Sequence, residues 1–208
     1  MNRTRRLSAP LTLVLTLASA LLVTAAGPAH ADKVGCWQRG CIFDRAVLEA
    51  DNPARNREVG NDNCNFYSGY WGNSGDDICG DVNGSHWRSN SWCADFVRYV
   101  WSQAGANTTG LDPWAGSFYR ANATNGSYHP EGSGYTPQVG DAVIYDWDGT
   151  PGLGTEGWDI DHVGIVIDYW NGTLNTIEGN TTGSDVRDGV YRKTRPTTQV
   201  VGYISPRF

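Results

Sequence analysis

Five cysteines in a chain that opens with an export segment limit this sequence more than any other feature. In an oxidising compartment four of them can pair as two disulfides, and the fifth is then a thiol kept for use. Cys93 is the one that stands apart. It falls in Ser91-Trp92-Cys93-Ala94-Asp95-Phe96-Val97, at the second or third residue of an expected helix, where unpaired backbone N–H groups and the helix dipole favour a thiolate. Cys36, Cys41, Cys64 and Cys79 remain. Three pairings of these are possible; the local one, Cys36 with Cys41 and Cys64 with Cys79, closes short loops and leaves Cys93 free. Zinc held by the four is the rival. Their spacings of five and fifteen lack the Cys-x-x-Cys pattern, and the compartment favours oxidation, so no metal or other cofactor is expected. Asp76, Asp77, Asp81 and Asn83 cluster, but without a calcium-loop pattern they read as solvated acids.

The export segment is residues 1–31. Arg3, Arg5 and Arg6 give a basic start, Leu11 to Val23 an apolar run, and Ala29-His30-Ala31 a small-x-small cleavage site. The run is about 13 residues where a bilayer span needs about 20, so a secreted, extracellular protein starting near Asp32 is expected, with no membrane contact after cleavage near Ala31. Cleavage removes three arginines and no acid, taking the net charge from −6 to −9. That balance argues against nucleic acid as a partner, because Lys and Arg supply the attraction to phosphates. The remaining chain, about 177 residues, is enough for one core, and a monomer is expected.

Residues 32–122 hold the cysteines and the helical patterns, whereas residues 139–206 alternate with the period of strands. Helices first and strands second read as an α+β fold. Helices are expected from Asp44 to Asp51, from Trp92 to Ala104 with Ser91 as N-cap and Gly105 beyond the end, and from Asp112 to about Ala123 with Pro113 at the first position. Thr124 to Pro137 reads as a surface loop. Strands follow at Asp141 to Trp147, Asp161 to Tyr169, Thr173 to Asn180, Gly189 to Lys193 and Val200 to Ile204, as an antiparallel meander.

A thiolate needs a base, and the base needs an orienting group. Outside the export segment there are three histidines. His86 and His129 sit in Gly, Ser, Asn or Pro-rich surroundings and read as surface residues. His162 opens a strand, with Glu178 and Asn180 on the next. A two-residue turn at Asn171-Gly172 would put His162 and Glu178 on opposite faces; a three-residue loop ending at Gly172 pairs His162 with Asn180 and Gly164 with Glu178, bringing all three onto one face. There His162 can take the Cys93 proton while Glu178, Asn180 or both hold its other nitrogen, and the Cys93 N–H can serve as an oxyanion donor. Nine tryptophans and ten tyrosines imply a large-residue core or an aromatic groove. Trp92, and Tyr70 and Trp71 in Asn65-Phe66-Tyr67-Ser68-Gly69-Tyr70-Trp71, are candidates for substrate contact as well as for packing.

Trp92-Cys93-Ala94-Asp95-Phe96-Val97, Pro137-Gln138-Val139-Gly140-Asp141, Asp161-His162-Val163-Gly164-Ile165-Val166 and Thr176-Ile177-Glu178-Gly179-Asn180 stand in the order and spacing of the CHAP family, cysteine, histidine-dependent amidohydrolases/peptidases related to the NlpC/P60 enzymes. The chain resembles that family from about Ser85 to Phe208, and its basic signal resembles those of secreted actinobacterial proteins. The resemblance implies a papain-like fold of NlpC/P60 type, with helices packed on a C-terminal antiparallel sheet. It further implies cleavage of amide bonds in bacterial peptidoglycan, and a site of Cys93, His162, Glu178 and Asn180. The expected organisation is a signal peptide at 1–31, a disulfide-stabilised segment at 32–84 and a CHAP-like catalytic domain at 85–208. Two other readings stand beside it: a non-catalytic module that binds wall or carbohydrate through its aromatic residues, and a thiol hydrolase acting on proteins outside the wall.

Overall fold

A computed structural model describes residues 38–60, 62–72, 79–80, 84–86, 91–149, 157–183 and 186–208. The export segment, Cys36 and the cluster of Asp76, Asp77, Asp81 and Asn83 lie outside them. Among the described residues there are four α-helices: α1 (Arg39–Ala50), α2 (Phe66–Tyr70), α3 (Cys93–Gln103) and α4 (Gly116–Arg120). Helix α1 starts five residues before the expected Asp44, because the buried stripe of Ile42, Ala46 and Ala50 at four-residue steps already begins there. Helix α4 is shorter than expected. The Asp112 carboxylate accepts the Trp114 N–H at 2.9 Å, an Asx-type turn that holds the chain out of helix until Gly116.

The sheet has six strands: β1 (Tyr128–Pro130), β2 (Ala142–Tyr145), β3 (His162–Trp170), β4 (Thr173–Thr181), β5 (Gly189–Pro196) and β6 (Val200–Ile204), in the order β1-β6-β2-β3-β4-β5. All neighbours are antiparallel. With its helices this is an α+β fold. Strands β2 to β5 form the expected meander, but β6 crosses back to lie between β2 and β1. Four of its five residues are buried, which suits an interior strand and not the sheet edge beside β5. Strand β1 lies within the stretch read as a surface loop; Pro130, which cannot donate to a ladder, is tolerated because β1 is an edge strand.

Alternation along the strands divides the core. Ala142, Ile144, Val163, Ile165, Ile177 and Ile204 join the cluster containing α1 and α3, whereas Val143, Tyr145, Val166, Leu174 and Tyr203 form a smaller second cluster. Helix α3 packs on β3 and β4 with every residue from Cys93 to Val97 buried. Gly179 permits that approach: a Cβ there would lie 2.6 Å from Phe96 Cβ and 2.8 Å from the Trp92 ring. The described part of the N-terminal segment shares this core, since Ile42, Ala46 and Tyr67 belong to the same cluster.

The β3–β4 hairpin reaches the expected facing by another route. Its turn is the two-residue one: Trp170 pairs with Thr173, and Asn171 and Gly172 both have positive φ, as a type I′ turn requires. Left alone, that register would separate His162 from Glu178. A β-bulge between Val166 and Asp168 then shifts the pairing by one residue, so that Val166 faces Thr176 and Ile165 faces Ile177. Beyond the bulge Gly164 comes opposite Glu178.

Candidate active site

Cys93 is the first residue of α3, 2% exposed, and a free thiol. Its position differs slightly from the expected one. The residue flanking the helix is Trp92, not Ser91, and no side chain of its own caps the start. The cap comes from the sheet instead: Asn180 Oδ1 accepts the Trp92 N–H at 3.0 Å, fixing the turn that presents the sulfur.

His162, at the start of β3 and 6% exposed, lies within electrostatic reach of Cys93. Its Nε2 lies 3.2 Å from Glu178 Oε2. With Nε2 so occupied, Nδ1 is the nitrogen left to serve the sulfur. Burial pulls the His162 pKa down, but the charges of Cys93 and Glu178 and the hydrogen bonds to both outweigh it and raise it to about 9. The ring is therefore an imidazolium at neutral pH. Tyr145 and Trp147 wall it, with ring centroids 6.0 and 5.6 Å away.

Glu178 is fully buried and its oxygens are saturated. Oε1 accepts from Thr176 Oγ1 at 2.6 Å and from Arg195 Nε at 3.1 Å; Oε2 accepts from Arg195 Nη2 at 2.6 Å and meets His162. Burial alone would raise its pKa, yet the bonds and charges of His162 and Arg195 lower it to about 2. A permanently ionised carboxylate holds the imidazolium in place. Gly164 makes room for it, because a Cβ there would lie 2.7 Å from Glu178 Cγ.

Cys93, His162 and Glu178 are thus brought together as a linear relay. Asn180 is not part of it. It sits at φ 52° and its amide bonds to Trp92, Asn63 and Asp188, because the backbone twists out of strand geometry at this residue and aims the side chain at the start of α3. Among the substrate-contact candidates, Trp92 is fully buried, stacked on Tyr67 and donating Nε1–H to Glu58 at 2.6 Å, so it is core and not a substrate surface. Tyr70 and Trp71 pack edge to face beside α3, where Trp71 donates to the Asp95 carbonyl and lies under Arg98. Neither lines the two clefts described below. Cys64 and Cys79 are joined as a disulfide. Cys41 is disulfide-bonded as well, and its expected partner Cys36 lies outside the described residues. His129 stacks on Tyr135 and His86 bridges Asn65 through its backbone, both away from the site.

Two clefts open beside the pair, one lined by Cys93 and the other by His162. The larger, about 800 Å³, is lined by Cys93, Ser91, Asp112, Trp114, Trp158 and Asp161 among others, and the Trp114 and Trp158 rings meet at 4.0 Å. The smaller, about 250 Å³, opens on the other partner, with His162, Trp147, Asn180, Lys193, Arg195 and Gln199 in its wall. Arg195 lies two residues past the expected end of the Gly189 to Lys193 strand, and nothing in the sequence marks Lys193 within it. Continuing its alternation through Tyr191, Lys193 and Arg195 would have placed both on the face of Glu178.

A free thiol at a helix start, an imidazolium and a buried carboxylate in series have the chemistry that thiol-dependent acyl transfer needs. Residues 80–180 match the family model of the CHAP domain, a span that contains Cys93, His162, Glu178 and Asn180. The CHAP match over this region implies the amidase or peptidase type of hydrolase chemistry. No curated protein and no solved structure matches it.

Proposed function

We propose that the protein is a secreted, monomeric cysteine hydrolase that cleaves amide bonds in bacterial peptidoglycan, on a papain-like scaffold of the NlpC/P60 type. The observation that carries the chemistry is the position of His162, beside Cys93 on one side and 3.2 Å from the ionised Glu178 on the other. The imidazolium favours negative charge on sulfur. Sγ attacks the amide carbonyl, forming an S–C bond, and the oxyanion is met by the Cys93 N–H, which at the first helical position has no partner within the helix. His162 then gives its proton to the nitrogen as the C–N bond breaks and the amine leaves. Water attacks the thioester, His162 takes its proton, and the carboxylic acid departs with the S–C bond broken. Asn180 serves as a positioning residue that fixes the backbone before the nucleophile.

Support for the wall as substrate comes from the CHAP match and from the larger cleft, where Trp158, 65% exposed, and Trp114 offer stacking faces beside the sulfur. Purified protein lacking residues 1–31 should release soluble fragments and new amino groups from isolated cell walls. Cys93→Ala should release none while keeping its fold, and equal release by the variant would overturn the reading.

A further inference from the structure

The smaller cleft carries a charge opposite to that of the chain as a whole. The protein has a net charge of −6, yet Lys193, Arg195 and His162 converge on this cleft and, among the described residues, no Asp or Glu lines it. Glu178, buried behind it, offsets one of the three cations. Lys193 is half-buried and one of its donors is tied to the Thr182 carbonyl at 2.7 Å, which holds the ammonium at the cleft while leaving two donors. The Arg195 guanidinium is fixed by its fork on Glu178 and by the Trp147 ring 5.1 Å beneath it, leaving Nη1 beyond the fork. Both cations are therefore preorganised before any ligand arrives.

The cleft's place in the reaction follows from proton transfer. His162 must reach the nitrogen of the scissile amide, so the departing amine lies over His162 while the acyl portion stays over Cys93. The cleft that opens on His162 is then on the side of the leaving group. We infer that Lys193 and Arg195 form a leaving-group subsite for a free carboxylate on the amine-side fragment, so that the enzyme prefers peptides bearing an acidic residue just beyond the bond it cuts. The inference rests on the hydrolase reading above for its orientation, but the carboxylate site itself stands on the cleft. Both residues lie beyond residue 180, where the CHAP match ends.

The test separates binding from turnover. Mature Cys93→Ala protein is titrated with the C-terminally amidated dipeptides glutamyl-alaninamide and glutaminyl-alaninamide by NMR, with and without Lys193→Gln. The acidic dipeptide should bind about tenfold tighter, the size of one charge-assisted contact, and Lys193→Gln should abolish that preference without altering the melting temperature. Equal binding of the two dipeptides, no binding of either up to about 10 mM, or a preference that survives Lys193→Gln would each overturn the subsite. A second arm compares walls whose stem peptides carry free or amidated acidic residues: the Cys93-containing protein should show a lower KM on the free form, and Lys193→Gln should level the two. A carboxylate preference in the first arm with no fragment release in the second would leave the subsite standing and remove the peptidoglycan reading.

Discussion

Arg195 grips Glu178 with both ends of its fork, Nε to Oε1 at 3.1 Å and Nη2 to Oε2 at 2.6 Å. The pair spans two strands, β5 and β4, and it makes the carboxylate that orients His162 rigid as well as ionised. Without the guanidinium, a buried Glu178 would depend on His162 and Thr176 alone to remain charged.

Arg195→Met should therefore weaken both fold and catalysis. Breaking a buried ion pair on one side costs about 3 to 5 kcal/mol, and the lower end applies because the Arg195 side chain is 24% exposed. The lost interaction favours the charged carboxylate, whose folded pKa of about 2 lies below the ordinary 4.5. The stability it supplies is thus present above about pH 4.5 and disappears as the pH falls towards 2. Denaturant melts of the two proteins should differ most at neutral pH and converge in acid.

The imidazolium of His162 is sustained partly by the charge on Cys93. NMR titration of the ring in the active protein should show a midpoint near 9. In Cys93→Ala the midpoint should fall clearly below that, since a negative partner is gone while burial still opposes protonation. A folded pKa raised above 6.5 adds stability that is full below pH 6.5 and is lost as the pH rises through about 9. An unchanged midpoint in the alanine variant would deny the sulfur its part in the relay.

Gly164→Ala introduces a methyl group 2.7 Å from Glu178 Cγ on a strand with no freedom to withdraw. Overpacking of this kind costs about 1 to 3 kcal/mol, and here the side chain that must move is the one orienting His162. We expect a fall in kcat larger than the fall in stability, read from kinetics and thermal melts side by side.

Trp158→Ala removes an exposed ring from the larger cleft. Stability should change by no more than about 0.5 kcal/mol, because the side chain is mostly in water already. KM for wall fragments should rise by about fivefold, the value of one stacking contact, with kcat little changed.

Scarcity makes the nucleophile and its base legible in the sequence: one unpaired cysteine, and one histidine with an acid on the following strand. Glu178 was found for a reason only half right. Its facing depends on a bulge at Val166–Asp168 that compensates a tight Asn171-Gly172 turn, and a bulge leaves no mark in a hydrophobic pattern. Asn180 looked interchangeable with Glu178 because both alternate onto one face, but a left-handed backbone at that residue redirects it to Trp92. Trp92 sits beside the nucleophile in sequence and yet faces the core, since neighbours in the first turn of a helix point about a hundred degrees apart. The place of β6 between β1 and β2 is a long-range pairing that local periodicity does not encode.

Capture of the acyl-enzyme tests the central claim most directly. Mature protein is mixed with soluble wall fragments, quenched in acid within the first turnover, digested and mass-analysed. The account predicts that the peptide containing Cys93 gains the mass of the acyl portion, and that His162→Ala forms the adduct far more slowly. Hydrolysis that proceeds while Cys93 stays unmodified, or that continues at the same rate in Cys93→Ala, would contradict it.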